Sequence, residues 1–406
     1  MEIYDNAWEL FGILFCPKSK VFSIWTKQEK VKVVKIGIIT FQRADNYGAL
    51  LQCYALYKYV KGINSDTEVI DYRNPVIADR YKKYKTFNRH IIKCLADNLN
   101  ALVHSKNYTK KRNGFDQLRK LISFSESKNK EEVFKTMEEY DLVFSGSDQV
   151  LNPHITDGFD DAYYLNAPGN FKKIVYAGSV GNAQDSMIQS EEFFNRIQKF
   201  DELSFREKDI SEYVTSRGIK CIKVVDPTFL LTKDMWDDVI CDVQTGIDQD
   251  YLVLYYVQEN QELIRIAETL AEEQRYRIVY FDEHLRLDKE AIYKGDVGPL
   301  EFVKLIRDAK TIVTSSFHGT AFSTIYRKNV YLHLPRVTGA RVRTLAQMAG
   351  IENRVYSSYE EFKQRHPHDD IEYNEQEILK NIEMSKAFIG NQVKKGKNYG
   401  KAKRTG

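Results

Sequence analysis

The feature that most constrains this fold is a unit that recurs along the chain: a short, β-branched apolar run that ends in small or polar residues. Residues 33–40, 142–144, 173–176 and 311–313 all have it. Apolar runs without alternation suit strands buried on both faces, the environment of a parallel sheet. The first run leads through a polar turn at 42–48 into a helical segment at 49–60 and a further strand at 68–72, a βαβ opening. More strands are expected at 203–208 and 223–228. A second α/β unit starts at 251–256 and continues through a helix at 262–274, a strand at 277–281, a helix at 299–309 and strands at 311–313 and 329–334. The basic stretch 79–135 reads as helical, and 371–393 as a long terminal helix. At 406 residues the chain needs more than one core. The reading is an α/β protein of two Rossmann-like domains, 33–225 and 226–370, with an N-terminal extension at 1–32 and a terminal helix and basic tail at 371–406. The cleft between the domains is the expected ligand site.

The most chemically specific strand end is Thr314-Ser315-Ser316-Phe317-His318-Gly319-Thr320. It reads as a strand, a small-residue turn and a helix start that carries one imidazole. Ligands of open α/β sheets sit at the carboxyl ends of strands. A helix N-terminus offers free N–H groups and a positive dipole end to an anion. Histidine moves protons near neutral pH. Together these indicate phosphate handling coupled to proton transfer.

Charge is uneven. Between Asp79 and Lys120 there are twelve Lys/Arg against three Asp, and between Gly390 and Gly406 six Lys/Arg and no acids. Such stretches serve as solvated faces, or they attract anionic lipid head groups or a lipid-diphosphate substrate. No nucleic-acid motif is present, and a pI of 8.3 falls below the usual signal, so nucleic acid is not an expected partner. Cys16, Cys53, Cys94, Cys221 and Cys241 are odd in number and widely spaced, which argues for reduced thiols rather than a disulfide frame or a zinc site. The acidic start Met-Glu-Ile-Tyr-Asp is unlike a signal peptide, and the apolar run 10–16 is too short to span a bilayer. The expected location is cytoplasmic, with peripheral contact at the inner face of an anionic membrane through the basic segments.

Five segments, in order, resemble the polysaccharide pyruvyl transferase family. They are Ile38-Ile39-Thr40-Phe41 with Asn46-Tyr47-Gly48-Ala49-Leu50-Leu51-Gln52; Ser145-Gly146-Ser147-Asp148-Gln149-Val150 with Asn152; Ser204-Phe205-Arg206-Glu207; Asp226-Pro227-Thr228; and Ser316-Phe317-His318-Gly319-Thr320-Ala321. The resemblance implies a glycosyltransferase-B-like pair of domains around an interdomain cleft, with 33–225 on the acceptor side and 226–370 on the phosphoenolpyruvate side. It implies transfer of the enolpyruvyl unit of phosphoenolpyruvate onto two sugar hydroxyls, giving a cyclic ketal and phosphate, in the synthesis of bacterial capsule or exopolysaccharide. The first expectation is a 4,6-ketal on galactose of a polymeric or polyprenyl-diphosphate-linked glycan. Phosphoenolpyruvate is a co-substrate, no other cofactor is implied, and a divalent metal requirement is left open. Two departures stand out. Leu151 occupies a position where many relatives carry Trp, and Ser316 one where other branches carry an Arg that could grip phosphate.

Within that frame His318 is the expected proton-transfer residue and Arg206 a catalytic cation, since a guanidinium grips a carboxylate or phosphate with paired hydrogen bonds. Each has a plainer reading: His318 as packing beneath its turn, Arg206 as an ordinary ion pair with Glu207 or another acid. Ser316, Phe317, Gly319 and Thr320 are expected at the phosphoenolpyruvate, with Arg341 or Arg343 supplying the missing cation. Asn46, Tyr47, Asp148, Gln149 and Asn152 are expected on the acceptor side, although Asp and Asn also serve turns. Asp226-Pro227 reads as structural. A nucleotide-sugar glycosyltransferase of the same architecture is the alternative, because fold does not fix function; a third reading is a sugar- or lipid-binding protein without chemistry.

Overall fold

The computed structural model describes residues 34–82, 102, 105–126, 129–285, 287, 290–334, 339–365 and 371–402. The expected extension at 1–32 and much of the basic stretch before residue 105 lie outside the described residues.

Two parallel six-stranded sheets carry the fold. The first comprises β1 (Ile36–Ile39), β2 (Thr67–Val69), β3 (Leu142–Ser145), β4 (Lys172–Gly178), β5 (Glu202–Phe205) and β6 (Ile222–Lys223), in the order β2-β1-β3-β4-β5-β6. The second comprises β7 (Tyr251–Tyr255), β8 (Arg277–Tyr280), β9 (Ala291–Tyr293), β10 (Thr311–Thr314), β11 (Asn329–His333) and β12 (Val355–Tyr356), in the order β12-β11-β10-β7-β8-β9. Strand order reverses between β1 and β3 in the first sheet and between β7 and β10 in the second. At such switch points neighbouring loops leave in opposite directions and open a crevice beyond the strand ends. The four strands concerned are almost wholly buried, as their unbroken apolar runs require.

Six helices position the site: α1 (Tyr47–Ile63), α2 (Ser105–Arg119), α3 (Pro299–Asp308), α4 (Phe317–Ile325), α5 (Gly339–Ala349) and α6 (Glu375–Ala402). Asn46 starts α1 by accepting the Ala49 N–H at 3.1 Å. Ser316 starts α4 by accepting the Gly319 N–H at 3.3 Å. Pro299 opens α3, where its missing N–H costs nothing.

The two halves are joined by packing and by the chain end. Tyr47 stacks on Phe302 at 4.7 Å and on Phe115 at 5.5 Å, with Tyr255 and Phe281 edge-on. Gly114 of α2 and Gly298 meet so closely that a Cβ on either would lie 2.5 Å from the other's Cα. Helix α6 packs against α5 and returns to the first half, where Ser385 Oγ accepts the Val225 N–H at 2.9 Å and Gln392 accepts Lys172 Nζ at 2.6 Å.

Some elements depart from the sequence expectation. The strand expected at 203–208 stops at Phe205, because Glu207 is already the N-cap of the helix Lys208–Ser216. The strand expected at 223–228 ends at Lys223. Asp226 instead accepts the Thr228 N–H at 3.0 Å and turns the chain into the 3-10 segment Pro227–Leu230. Strands β9 and β12, of three and two residues, are too short to show a period, and α5 is a helix beyond those expected from the sequence.

Candidate active site

The two switch points face each other, and two helix N-termini meet between them. His318, the second residue of α4, lies against Gly48, the second residue of α1. A Cβ on Gly48 would come closer than 3.0 Å to three ring atoms, Nδ1, Cε1 and Cγ. Each N-terminus contributes unpaired N–H groups and a positive dipole end, so their junction favours an anion.

Asp226 stands behind the imidazole. Its Oδ2 lies 3.6 Å from His318 Nε2, 2.8 Å from Arg206 Nη1 and 3.4 Å from Ser147 Oγ. Its Oδ1 accepts the Thr228 hydroxyl at 2.9 Å. Burial alone would push this carboxyl up, but the charges of His318 and Arg206 and the Thr228 N–H outweigh it and hold the pKa well below the aspartate range. At 3.6 Å the imidazole is within ion-pair reach but beyond hydrogen-bond length, and its shielded Nε2 has no hydrogen-bond partner among the described residues.

Arg206 is enclosed by carboxylates. Nη1 meets Asp226 at 2.8 Å, Nε meets Glu207 at 3.2 Å and Nη2 meets Asp148 at 3.3 Å, while the guanidinium lies 4.7 Å from the Phe317 ring centre. Burial opposes its charge, but Glu207, Asp226 and Asp148 outweigh that and raise its pKa. The guanidinium read as a grip for substrate thus holds three acids in place, close to the ion-pair alternative. Glu207 also accepts Ser179 Oγ at 2.6 Å; burial raises its pKa against the pull of Arg206 and Arg341, and its Oε2 is shielded and unpartnered among the described residues.

Arg341 is the contrasting cation. Its Nε is shielded and has no hydrogen-bond partner among the described residues. Burial and then the neighbouring Arg206 pull its pKa down to about 10, against the attraction of Glu207, Asp148 and Asp226. An anion placed beside it would relieve both the desolvation and the repulsion.

The other expected residues divide. Ser316 and Thr320 are buried at the start of α4, and Thr320 donates to the Ser316 carbonyl at 2.9 Å. Gly319 supplies the capping N–H, and Phe317 lies under Arg206. Arg343 is exposed two residues along α5 and lines cavities rather than joining the Arg206 cluster. Asn46 caps α1 at the edge of a space of about 260 Å³ between the halves, which Asp45, Lys111, Tyr255 and Asp282 also line. Tyr47 borders that space, but its ring is buried among aromatics and its hydroxyl donates to the Val297 carbonyl at 3.0 Å. Asp148 takes a left-handed backbone, φ 66°, and meets Arg206. Gln149 accepts Asn152 Nδ2 at 2.8 Å, and Asn152 caps the turn at Pro153–Thr156, so these two satisfy each other. Leu151 is fully buried, so the chain presents no ring to the cleft at that position.

Sequence reasoning missed four contributors. Asp226 is both turn former and partner of His318; Glu207 was noted only as a neighbour. Two tyrosines line the junction. Tyr81 sits near Asn46 and Asp148, and Tyr255 near Ser316; burial pushes each hydroxyl up to about 12. Nothing distinguishes these two among 26 tyrosines except that Tyr255 ends a strand at a switch point. Among the described residues no three His, Cys, Asp or Glu side chains are grouped to hold a metal ion, and no helix is long and apolar enough to cross a membrane.

Two doubly wound sheets with a polar, charge-rich junction at facing switch points define a glycosyltransferase-B-like enzyme architecture. The solved structure of UDP-N-acetylglucosamine 2-epimerase from Rickettsia bellii shares that fold, with a TM-score of 0.50 and 12% identity over 90% of this chain and 96% of that one. The UDP-GlcNAc 2-epimerase of Methanocaldococcus jannaschii matches with a TM-score of 0.47 and 13% identity over 86% of this chain and 98% of that one. No curated protein matches the sequence. The chain belongs to the polysaccharide pyruvyl transferase family, whose model matches residues 46–332, and it is a transferase.

Proposed function

We propose that the protein transfers the enolpyruvyl unit of phosphoenolpyruvate onto two hydroxyls of a sugar, forming a cyclic ketal and releasing phosphate. Arg341 and the N-terminus of α4 receive the carboxylate and phosphate. His318 delivers a proton to the methylene carbon, which becomes a methyl group, and the first sugar hydroxyl adds to the adjacent carbon. Phosphate departs, and the second hydroxyl closes the ketal. The diol gives up two protons in all: the equivalent of one ends on the methyl group and the other leaves with phosphate. Asp226, held ionised by Arg206, stabilises the imidazolium between these steps. The acceptor sugar lies toward Asn46 and Asp148, with galactose bridged at its 4 and 6 hydroxyls on a polymeric or polyprenyl-diphosphate-linked glycan as the first candidate. The basic segments suit such a carrier at an anionic membrane surface.

The observation that carries this reading is the unpartnered Nε2 of His318 beside an ionised Asp226, with the unpaired Nε of Arg341 at the same junction. The test is phosphate release from phosphoenolpyruvate with a panel of galactosides, glucosides and mannosides, free and lipid-diphosphate-linked. Release that depends on one acceptor and is lost in His318→Ala supports it. No release with any acceptor, together with thermal stabilisation by a nucleotide sugar but not by phosphoenolpyruvate, replaces it with the glycosyltransferase reading.

A further inference from the structure

A cavity of about 890 Å³ has no part in the chemistry above. It lies beyond the ends of β7, β10, β11 and β12, and Ser315, its wall residue nearest the reaction, immediately precedes the turn that carries His318. A second space of about 740 Å³ shares Leu334, Arg343 and Gln347 with it and reaches Asn182, Lys208 and Glu212 of the first half. The two spaces adjoin at these shared residues, so the pair spans both halves.

The lining tells which ligand would suit it. Among the described residues Glu259, Glu262, Glu352 and Glu361 line it with one guanidinium, Arg343, and Glu361 is also paired with Arg365 at 2.7 Å. A diphosphate would meet like charge there and lose affinity. The remaining polar groups are neutral amides and hydroxyls, including Gln258, Asn260, Gln347 and Ser357. Asn260 Nδ2 lies 2.9 Å from His333 Nδ1. The same amide lies 3.4 Å from Nε2, and the ring adds to the cavity wall a nitrogen that donates or accepts according to its tautomer. Tyr356, also in the wall, has a shielded hydroxyl without a partner among the described residues. Carboxylates and carbonyls that accept, amides that donate and an imidazole that can do either are the complement of a polyol.

We propose that this cavity is a glycan subsite that holds two or three neutral sugar residues next to the one that receives the pyruvyl group, so that the acceptor is recognised as a chain. Its size is in the upper part of the roughly 300–1,000 Å³ range that encloses ligands of that bulk. Naming the bound glycan as the acceptor rests on the transferase reading; the binding itself does not.

Titrations of the full chain with galactotriose, maltotriose and mannotriose, with the matching monosaccharides and with UDP, test it by calorimetry. At least one trisaccharide should bind ten-fold or more tighter than its monosaccharide. The exposed Gln258→Ala and, independently, the exposed Gln347→Ala should each weaken it about ten-fold, with melting temperature and phosphoenolpyruvate binding retained. Trisaccharides that bind no better than monosaccharides, or equally well to both variants, overturn the subsite; so does UDP binding that displaces a trisaccharide. Trisaccharide binding retained by a protein that releases no phosphate would sink the transferase reading and leave the subsite standing.

Discussion

Gly48 and His318 are in mutual contact across the two halves of the molecule: the space a side chain would fill on the first turn of α1 is taken by the imidazole on the first turn of α4. The orientation of the proposed proton donor therefore depends on a residue with no chemistry of its own. Gly48→Ala is expected to lower turnover by about ten- to a hundred-fold by displacing the ring, since ångström-scale misplacement costs on that order. Combined with His318→Ala it should add nothing further, and a double-mutant cycle on kcat checks this.

His318→Gln removes the proton transfer and is expected to cost about 10²- to 10⁴-fold in phosphate release. The melting temperature should fall less than in Arg206→Met, because Asp226 loses only the 3.6 Å ion pair and keeps Arg206 and Thr228 as partners.

Arg206→Met should be costly to the fold. It leaves Asp226, Glu207 and Asp148 without their shared cation, and breaking a buried ion pair in this way destabilises by about 3–5 kcal/mol. Urea unfolding at neutral pH measures it. A loss below about 1 kcal/mol would mean that the cluster is far better solvated than its burial indicates.

Arg341→Leu should move stability and binding in opposite directions. The folded protein pulls this guanidinium down to about 10, so its charge is a burden on the fold at neutral pH. Replacement should hold or raise the melting temperature while weakening phosphoenolpyruvate binding about ten- to a hundred-fold, the worth of a charged hydrogen bond of roughly 1.5–3 kcal/mol.

Acid should act through Asp226. Its folded pKa lies below the ordinary value of 3.8, so its stabilising contribution is present above that pH and is lost as pH falls toward the folded value. The melting temperature should drop below about pH 4, and Asp226→Asn should make that decline shallower. An equally steep decline in the variant would assign acid sensitivity to other carboxylates.

The chain's strand ends were legible because unbroken apolar runs and the small residues after them report burial and a close approach. His318 and Arg206 were legible by residue type and position. What Arg206 does was not: its partners come from positions 148, 207 and 226, and only the folded sheets bring the first and last to it. The surroundings of Tyr47 were not legible either. A tyrosine after a turn suits a sugar contact, yet the stacking of Phe115 and Phe302, from distant helices, takes its ring into the interface. Asp226 shows why a turn former is hard to weigh, because one oxygen shapes the turn and the other serves the site.

The contact between Gly114 and Gly298 has a consequence for how much change this enzyme tolerates. Main chain rests on main chain there, so the spacing of the halves is gauged by atoms that substitutions elsewhere do not alter. Side chains around the cleft can be exchanged to suit another glycan while the distance from α1 to His318 keeps its calibration. A methyl group added at either glycine would act as a shim between the halves and detune the site without touching it.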